Sequence, residues 1–403
     1  CRLIRVIYNM TKRGVRVDIE KAHNLTEKFS KKEKKLLKRI KDIVGFDVEI
    51  WAAASIAKAF DAIDLPYDKT EKTQAPSFTK TFLNDHPHEV PRLILQAREL
   101  NKLRGTFIQS IFKYHKDGRI HAHINQIRSD TGGTVSGRFS YNHPNLQQVP
   151  SRGQFAKDIR GLFIPEHNEM WLKADYSQQE PRILTHWACL VGQPGAQEVK
   201  EAYHNSDLDF HQQTADMAGV ERRLAKTIGL GVMYGMGYNK MAKELDIEPA
   251  EAKNMLADFR NKVPFMQGML EAVMNRASSK GVIRTLLGRK CRFDLWEPTQ
   301  WGVHKALPIN QAKVEYGDAI KRAGTYKALN RLIQGSAADQ TKKAMVDVYN
   351  ELNIIPLIQV HDELDCSVAG EEQAKKVKEV MENCVELEVP SKVDIDLGDN
   401  WGQ

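Results

Sequence analysis

Cysteine is scarce in this chain and long apolar runs are missing, and each absence excludes a class of protein. The five cysteines (Cys1, Cys189, Cys291, Cys366 and Cys384) are scattered, odd in number and without a C-x-x-C pair. They argue against a disulfide framework or a zinc site and for a reducing compartment. No apolar run reaches the ~18 residues of a membrane span, and no signal peptide precedes the first element, so no membrane partner is expected. Internal repeats and low-complexity segments are also absent. The first residue is Cys rather than Met, which reads as a fragment or processed product with a domain missing upstream.

What the chain does have is length, core-forming residues and uneven charge. Its 403 residues allow two or three compact units, and a hydrophobic content of 41% can bury a large core. The net charge of +7 is divided unequally: residues 1–119 hold 25 Lys and Arg against 15 Asp and Glu, and the remainder 34 against 37. A basic first third and a slightly acidic remainder fit one part gripping a polyanion while another does chemistry with carboxylates. A solvated basic helix has the same composition.

Residues 1–19 alternate apolar and polar and reach a turn around Gly14. From Asp18 to Val44 the pattern predicts a long helix carrying Lys28, Lys31, Lys32, Lys34, Lys35, Lys38, Arg39 and Lys41, with Leu36, Leu37 and Ile40 on another side. Such cations suit a phosphate backbone, because they attract charge without needing base identity; they suit a solvated face equally well. A short helix over 50–66, a polar loop and a helical run from Val90 to Tyr114, with Arg98, Lys102 and Arg104 in or near one stripe, complete a helical clamp over 20–115. The loop from Thr131 to Ser140, and Asn145-Leu146-Gln147 after it, are rich in Gly, Ser, Thr, Asn and Gln. Loops of that kind either follow a duplex and offer donors to minor-groove acceptors, or are ordinary surface.

Met170-Trp171-Leu172 reads as strand and runs into Asp175, and Pro181 suits the first turn of the helix that follows. Taken alone, Asp175 reads better as a cap or solvated strand end than as a metal ligand. Other segments change that balance. Asp209-Phe210-His211 begins a helix, and after it Arg222, Lys226, Leu230 and Tyr234 recur every fourth residue. On a helix they form one drifting stripe that starts with two cations and ends in an aromatic ring. A triphosphate against the cations would lay its sugar and base over the later residues. Gly229 and Gly231 each cost that helix about 1 kcal/mol against Ala, so close approach by another group is their expected reason. Residues 236–287 read as helices, and Asn330 to Asp339 opens another, with Asn330 and Gln334 one turn apart. Ile354–Val360 reads as a buried strand that turns at His361-Asp362-Glu363 and returns through Val368. Two strand-borne aspartates, Asp175 and Asp362, can hold two Mg²⁺ ions that clamp the attacking and leaving oxygens of an in-line displacement. Nearby cations neutralise a pyrophosphate leaving group. Spacing alone therefore points to metal-dependent phosphoryl transfer and does not identify the substrate.

Together these segments resemble the polymerase region of family A DNA polymerases, the class of bacterial repair polymerases and many phage replicases. Asp175-Tyr176-Ser177-Gln178-x-Glu180-x-Arg182 resembles the first palm motif, the stripe from Arg222 to Tyr234-Gly235 the fingers helix, and Val360-His361-Asp362-Glu363 the second palm motif. Ser136 to Ser140, Asn145 to Gln147, Gln334 to Asp339 and the closing Gly398-Asp399-Asn400-Trp401 extend the resemblance, in the family's order, over nearly the whole chain.

The resemblance implies an α+β right hand, its palm built on an antiparallel sheet and its thumb and fingers largely helical. The expected division is 1–19 junction and palm-associated start, 20–119 thumb, 120–190 first part of the palm, 191–325 fingers and 326–403 second part of the palm. The implied activity is template-directed addition of deoxynucleotides to a primer 3′ end by two-metal phosphoryl transfer. Asp175 and Asp362 would bind both Mg²⁺ ions, for which Mn²⁺ can substitute, with the Tyr176 carbonyl assisting and Glu363 in support. Arg222, Lys226 and His211 would hold the triphosphate, with Lys226 the acid for the departing pyrophosphate; Gln178 and Leu230 belong to the same nucleotide site. Glu180 would act as a steric gate against the ribose 2′-OH, supported by Tyr234, and Tyr234 and Gly235 would border the templating base. Arg138, Asn145, Gln147, Asn330, Gln334 and His361 would read the primer–template, and Arg98 and Lys102 match thumb positions. Implied partners are primer–template DNA and deoxynucleoside triphosphates, with an upstream exonuclease domain or replisome factors. The implied location is the cytoplasm of a bacterium or phage-infected host, or an organelle.

Several positions depart from the family pattern and point to a phage-type or divergent branch. Leu230 stands where an aromatic is usual, Gln179 and Pro181 replace aliphatic residues beside Glu180, and Tyr326 replaces an Arg upstream of Asn330. The D-x-E spacings at Asp18–Glu20 and Asp47–Glu49 read as chance rather than as an exonuclease site. Glu180 argues against an RNA polymerase, and the lack of a Tyr-x-Asp-Asp turn against a dedicated reverse transcriptase, although RNA-templated synthesis stays open. Retention of both Asp175 and Asp362 argues against a catalytically inactive DNA clamp.

Overall fold

The computed structural model describes every residue except Cys1, Lys72, Asp130, Thr131 and Asp207. Cys1 and Thr131, both named above, therefore lie outside the described residues. The chain divides into two compact units, one of residues 11–123, 143–171 and 398–403, the other of residues 1–10, 124–142 and 172–397.

The chain opens with helix α1 (Arg2–Arg13), where alternation along 1–19 pointed away from a helix. Val6, Ile7 and Met10 are its buried side chains, and they recur at helical rather than strand spacing. Strand β1 (Val15–Val17) follows, then the long helix α2 (Ile19–Val44), as the sequence pattern predicts. Asp18 caps α2, its carboxylate accepting from the Lys21 N–H at 2.8 Å, and Gly45 closes it at φ +89°, a conformation glycine adopts without a Cβ penalty. Leu36, Leu37 and Ile40 pack, with Phe60, Leu83 and Ile94, into the core under α2 and α3 (Glu89–Lys102). The helical run continues to Tyr114 through a π-helical stretch at Leu103–Ile108. Strands β2 (His115–Lys116), β3 (Arg119–Ile120) and β4 (Phe163–Ile164) join β1 in a sheet of order β2-β3-β1-β4. At the other end of the chain Trp401 stacks on Trp171 and meets Phe163 edge-on, with Arg160 over its ring, which anchors the terminus in this unit.

The other unit is built around strand β5 (Met170–Tyr176), which leads into α4 (Gln179–Leu190). Helices α5 (Phe210–Ala218) and α6 (Arg222–Met233) follow, with three further helices up to Lys280. Residues 282–284 then form strand, so the helices end at Lys280, about two turns short of the limit expected at 287. A small sheet comes next: β6 (Leu295–Pro298) pairs antiparallel with β7 (Leu307–Pro308) and with β8 (Ile320–Arg322), and α7 (Ile309–Tyr316) links the last two. Helix α8 (Ala328–Leu352) is buried along most of its length. The hairpin β9 (Ile358–Val360) and β10 (Glu363–Val368), helix α9 (Glu371–Asn383) and strand β11 (Val393–Gly398) complete the chain. The main sheet has the order β9-β10-β5-β11. Helices packed with an antiparallel hairpin sheet make this an α+β chain, as expected. Among the described residues no helix is long and apolar enough to cross a membrane.

Candidate active site

The two motif aspartates reach this corner by different local routes. Asp175 is the penultimate residue of β5, whose alternation buries Trp171, Leu172, Ala174 and Tyr176 around it. Asp362 is not strand-borne: with His361 it forms the two-residue turn between Val360 and Glu363. His361 takes φ +58°, a left-handed conformation that His adopts more readily than most residues. That turn is locked to the neighbouring strand, because the Tyr176 N–H donates to the Asp362 carbonyl at 3.2 Å. The Tyr176 side chain is buried and donates to the Met381 carbonyl at 2.7 Å, so this residue is fixed from both ends.

The electrostatics of this corner are those of excess negative charge. Partial desolvation, then the carboxylates of Asp362, Glu363 and Asp394, push the Asp175 pKa up to about 7. Burial also raises Asp362, against the lowering influence of Arg138 and His361. Asp394, on β11, was not singled out from sequence. The alternation Val393-Asp394-Ile395-Asp396 contained the signal, since period two puts both acids on one face; Asp396 pairs with Lys173, which shares a face of β5 with Asp175, at 3.3 Å. Among the described residues no three His, Cys, Asp or Glu side chains converge closely enough to hold a metal alone. Two acids and surplus negative charge are an incomplete shell of hard oxygen donors, which suits a divalent cation that keeps waters and substrate oxygens.

Glu180 lies in the first turn of α4 and is held by two partners. Arg138 donates to one carboxylate oxygen at 2.5 Å and the Tyr234 hydroxyl to the other at 2.9 Å. Burial, then Glu180, pushes the Tyr234 pKa up to about 12, and a hydrogen bond to Gln334 opposes the rise. Arg138, Glu180, Tyr234 and Gln334 are thus brought together. The departure at Gln179 is also explained. Its buried amide donates to Gln340 Oε1 and Thr341 Oγ1, each at 3.1 Å, so polar groups on α8 replace an apolar contact.

The predicted stripe on α6 is present: Arg222, Lys226 and Tyr234 are exposed and Leu230 is partly so. Arg222 is paired with Asp209, the cap of α5, at 2.7 Å. Gln178 accepts from the Phe210 N–H at 2.9 Å and donates to the Leu208 carbonyl at 2.7 Å, so it fastens the start of α5 to the end of β5. His211 is held below its usual range by burial and then by Lys226, which keeps it neutral at pH 7. The interior glycines of α6 have a different reason from the one expected. Gly229 and Gly231 are buried, against Met266 and Phe259 and against Met236 and Met241, so they pack on core rather than admit a ligand. Gly235 has φ +66°, and a Cβ there would meet the Tyr326 carbonyl oxygen at 2.6 Å.

The remaining residues separate. Asn330, Gln334 and His361 belong to the unit that holds Asp175, whereas Asn145 and Gln147 belong to the other, where the Asn145 carboxamide caps a short turn by accepting from the Gln147 N–H. Lys102 is exposed on α3. Arg98 is turned inward, donating to the carbonyls of Ile50 at 2.6 Å and Phe78 at 3.1 Å and lying over Trp51. Two of its donors thereby close two loops. Arg289 is the keystone of the glycine-rich loop. It pairs with buried Asp339 at 3.0 Å and donates to the carbonyls of Ser136 and Gly335. A Cβ on Gly137 or Gly335 would strike this guanidinium.

The chain is 35% identical to a DNA-directed DNA polymerase of Pseudomonas phage M6, covering 100% of this chain and 65% of the phage protein. It is 31% identical to the thermostable DNA polymerase I of Thermus filiformis, covering 99% of this chain and 47% of that one. The chain therefore spans between about half and two thirds of these relatives' length. The polymerase domain of Pol1 from M. smegmatis, solved in complex with DNA primer-template and dNTP, matches with a TM-score of 0.78 at 27% identity, over 100% of this chain and 70% of that one. The profile of DNA polymerase family A covers residues 19–403, and the chain belongs to that family.

Proposed function

We propose that this chain copies a DNA template, joining deoxynucleotides to a primer 3′ end with release of pyrophosphate. The observation that carries the reading is the pairing of the Asp175–Asp362 corner with a Glu180 clamped by Arg138 and Tyr234. Family A polymerases generally use divalent metals, and Asp175, Asp362 and the Tyr176 carbonyl would hold two Mg²⁺ ions here, Mn²⁺ being able to substitute. When bound, such ions supply charge stabilisation to the attacking and leaving oxygens.

The chain's own side chains supply the rest. Arg222 exchanges Asp209 for the triphosphate, and Lys226 binds next to it and gives a proton to the departing pyrophosphate. Neutral His211 adds a donor without adding charge. Gln178 positions His211 by fixing the start of α5. Leu230 and Tyr234 face the nucleoside. Glu180, unable to swing while both its oxygens are held, blocks a 2′-hydroxyl. Asn330, Gln334 and His361, with Asn145, Gln147 and Lys102 on the other unit, would contact primer–template, and Glu363 would support the acid pair. In this reading 20–119 is the thumb, 191–325 the fingers, and 1–19, 120–190 and 326–403 form the palm and its approach. A reducing compartment fits the cysteine pattern.

Primer extension tests the reading. Asp175→Asn and Asp362→Asn should abolish extension while primer–template binding is largely kept; near-normal extension by either would remove the two-metal assignment. Glu180→Ala should raise ribonucleotide incorporation relative to deoxynucleotide, and an unchanged ratio would remove the gate.

A further inference from the structure

Two turns along α4 from Glu180, Trp187 lines a cavity of about 220 Å³ that the reaction above does not use. Val191, Met269, Val273, Ile283 and Leu332 give it an apolar floor. Met269, Ala272, Val273 and Arg276 all reach it from the helix Pro264–Lys280, because spacings of three, four and seven fall on one helical face. The cavity is held open by hydrogen bonds. The Ser336 hydroxyl on α8 accepts from Trp187 Nε1 at 3.3 Å and from the Leu286 N–H at 3.1 Å. One side chain thus ties α4 to the turn that follows strand Val282–Arg284.

Apolar surface continues past the rim. Leu190, Val191 and Leu287 are 53%, 51% and 53% exposed. Leu190 adjoins Val191, and Leu287 lies in the turn that Arg284 closes by donating to the Gly288 carbonyl at 3.1 Å. Single exposed apolar residues are ordinary, but a cluster around a cavity marks an interaction site. Arg276 and Arg284, both exposed, bring two cations to this cavity. Among the described residues no Asp or Glu lines it, and neither arginine makes an ion pair. Those cations stand out in the stretch from 120 onward, which is acidic overall.

Size and charge select the occupant. The volume lies below the ~300–1,000 Å³ of small-molecule sites and suits the anchoring side chain of a protein partner. A nucleic-acid strand needs rings to stack on, and among the lining residues Trp187 alone supplies one. We propose that this groove docks an acidic segment of a partner protein, whose large apolar side chain fills the cavity while carboxylates beside it pair with Arg276 and Arg284. The proposal goes beyond the polymerase reading and does not depend on it.

The test selects displayed random peptides on the immobilised full chain and follows the recovered consensus peptide, fluorescently labelled, by anisotropy. Recovered peptides should carry a large apolar residue flanked by Asp or Glu. Ala272→Glu, which sets bulk and a like charge on an exposed part of the wall, should weaken the consensus peptide at least about thirtyfold, as loss of an anchor does. Arg276→Gln with Arg284→Gln should weaken it about tenfold. Each variant should melt and extend primer as the unaltered chain does, which reports that it has folded. Saturating primer–template should leave peptide binding unchanged. Recovery of no peptide above the level seen with Ala272→Glu, a consensus without acids, or binding that survives both sets of changes overturns the proposal. So does displacement of the peptide by primer–template, since the face then belongs to nucleic acid. A concentration-dependent dimer, seen by sedimentation and abolished by Ala272→Glu, overturns it too, because the occupant is then a second copy of the chain. Failure of extension by the unaltered chain would strike the polymerase reading instead and leave the peptide and melting measurements standing.

Discussion

Helix α2 and the loop–helix junction at Arg289 both concentrate charge, and they treat it in opposite ways. Along α2 the cations are exposed, and their ion pairs, such as Lys31–Glu27 at 3.5 Å and Arg39–Glu89 at 3.1 Å, stand in solvent. Lys34, Lys35 and Lys38 make no ion pair among the described residues. Pairs of that kind contribute about 0–1 kcal/mol and are screened by salt. At the junction, Arg289 meets an Asp339 carboxylate that is 6% exposed, and each partner also closes a main-chain bond. Solvated charge is interchangeable and acts at a distance; buried charge is irreplaceable and acts by holding shape.

The comparison is broken most directly at Arg289. Arg289→Met leaves the Asp339 carboxylate buried and unpaired and should destabilise the chain by about 3–5 kcal/mol. Urea unfolding measures this, and adding Asp339→Leu should recover part of the loss. A cost below about 1 kcal/mol would place this pair with those of α2.

A neutral network gives the next effect. Gln179→Leu leaves the buried Gln340 Oε1 without its donor and should cost about 1–3 kcal/mol. Changing Gln179, Gln340 and Thr341 all to apolar residues should restore most of it, since an apolar contact of similar shape replaces the network. No recovery in the triple variant would mean that shape, not hydrogen bonding, sets the cost.

Lys342 sharpens the contrast through pH. Its ammonium lies over Phe139, and desolvation, aided by Arg289, lowers its pKa from 10.5 to about 8. Between those values the unfolded chain holds a proton that the folded chain has released, so stability rises with pH; below about 8 both states are protonated and the full penalty applies. Lys342→Met should therefore stabilise the chain most near neutral pH, with the gain shrinking toward pH 10. A melting-temperature difference that stays constant from pH 7 to 10 would show the ammonium to be solvated.

The smallest structural effect is expected on α2. Replacing Lys34, Lys35 and Lys38 by Gln should leave stability within about 0.5 kcal/mol yet flatten the salt dependence of duplex binding by up to about 0.9 per lost phosphate contact. An unchanged slope would make that face merely solvated.

Much of the fold was legible because local periodicity and capping agree with the tertiary outcome. Asp18 and Gly45 mark the ends of α2, and the four-residue stripe on α6 survives intact. Where two periods fit one segment, as in 2–13, pattern alone chose wrongly, since only burial against a neighbour decides which face counts. The acids at 175 and 362 were legible as endpoints of apolar segments. Asp394 was not, because its importance lies in an adjacency of strands that the chain order conceals.

By itself the sequence determined the residue types, their order and their local periodicity, which suffice to place acids at the ends of β5 and β9 and cations along α6. Tertiary structure alone decided which of those groups are occupied by partners. Arg98 closes loops, Arg138 and Tyr234 hold Glu180, Gly229 and Gly231 face core, and Arg289 carries a loop on a buried carboxylate. The reason is physical: a charge or a glycine takes its meaning from dielectric and from the nearest atoms, and those are properties of the packed chain rather than of spacing along it.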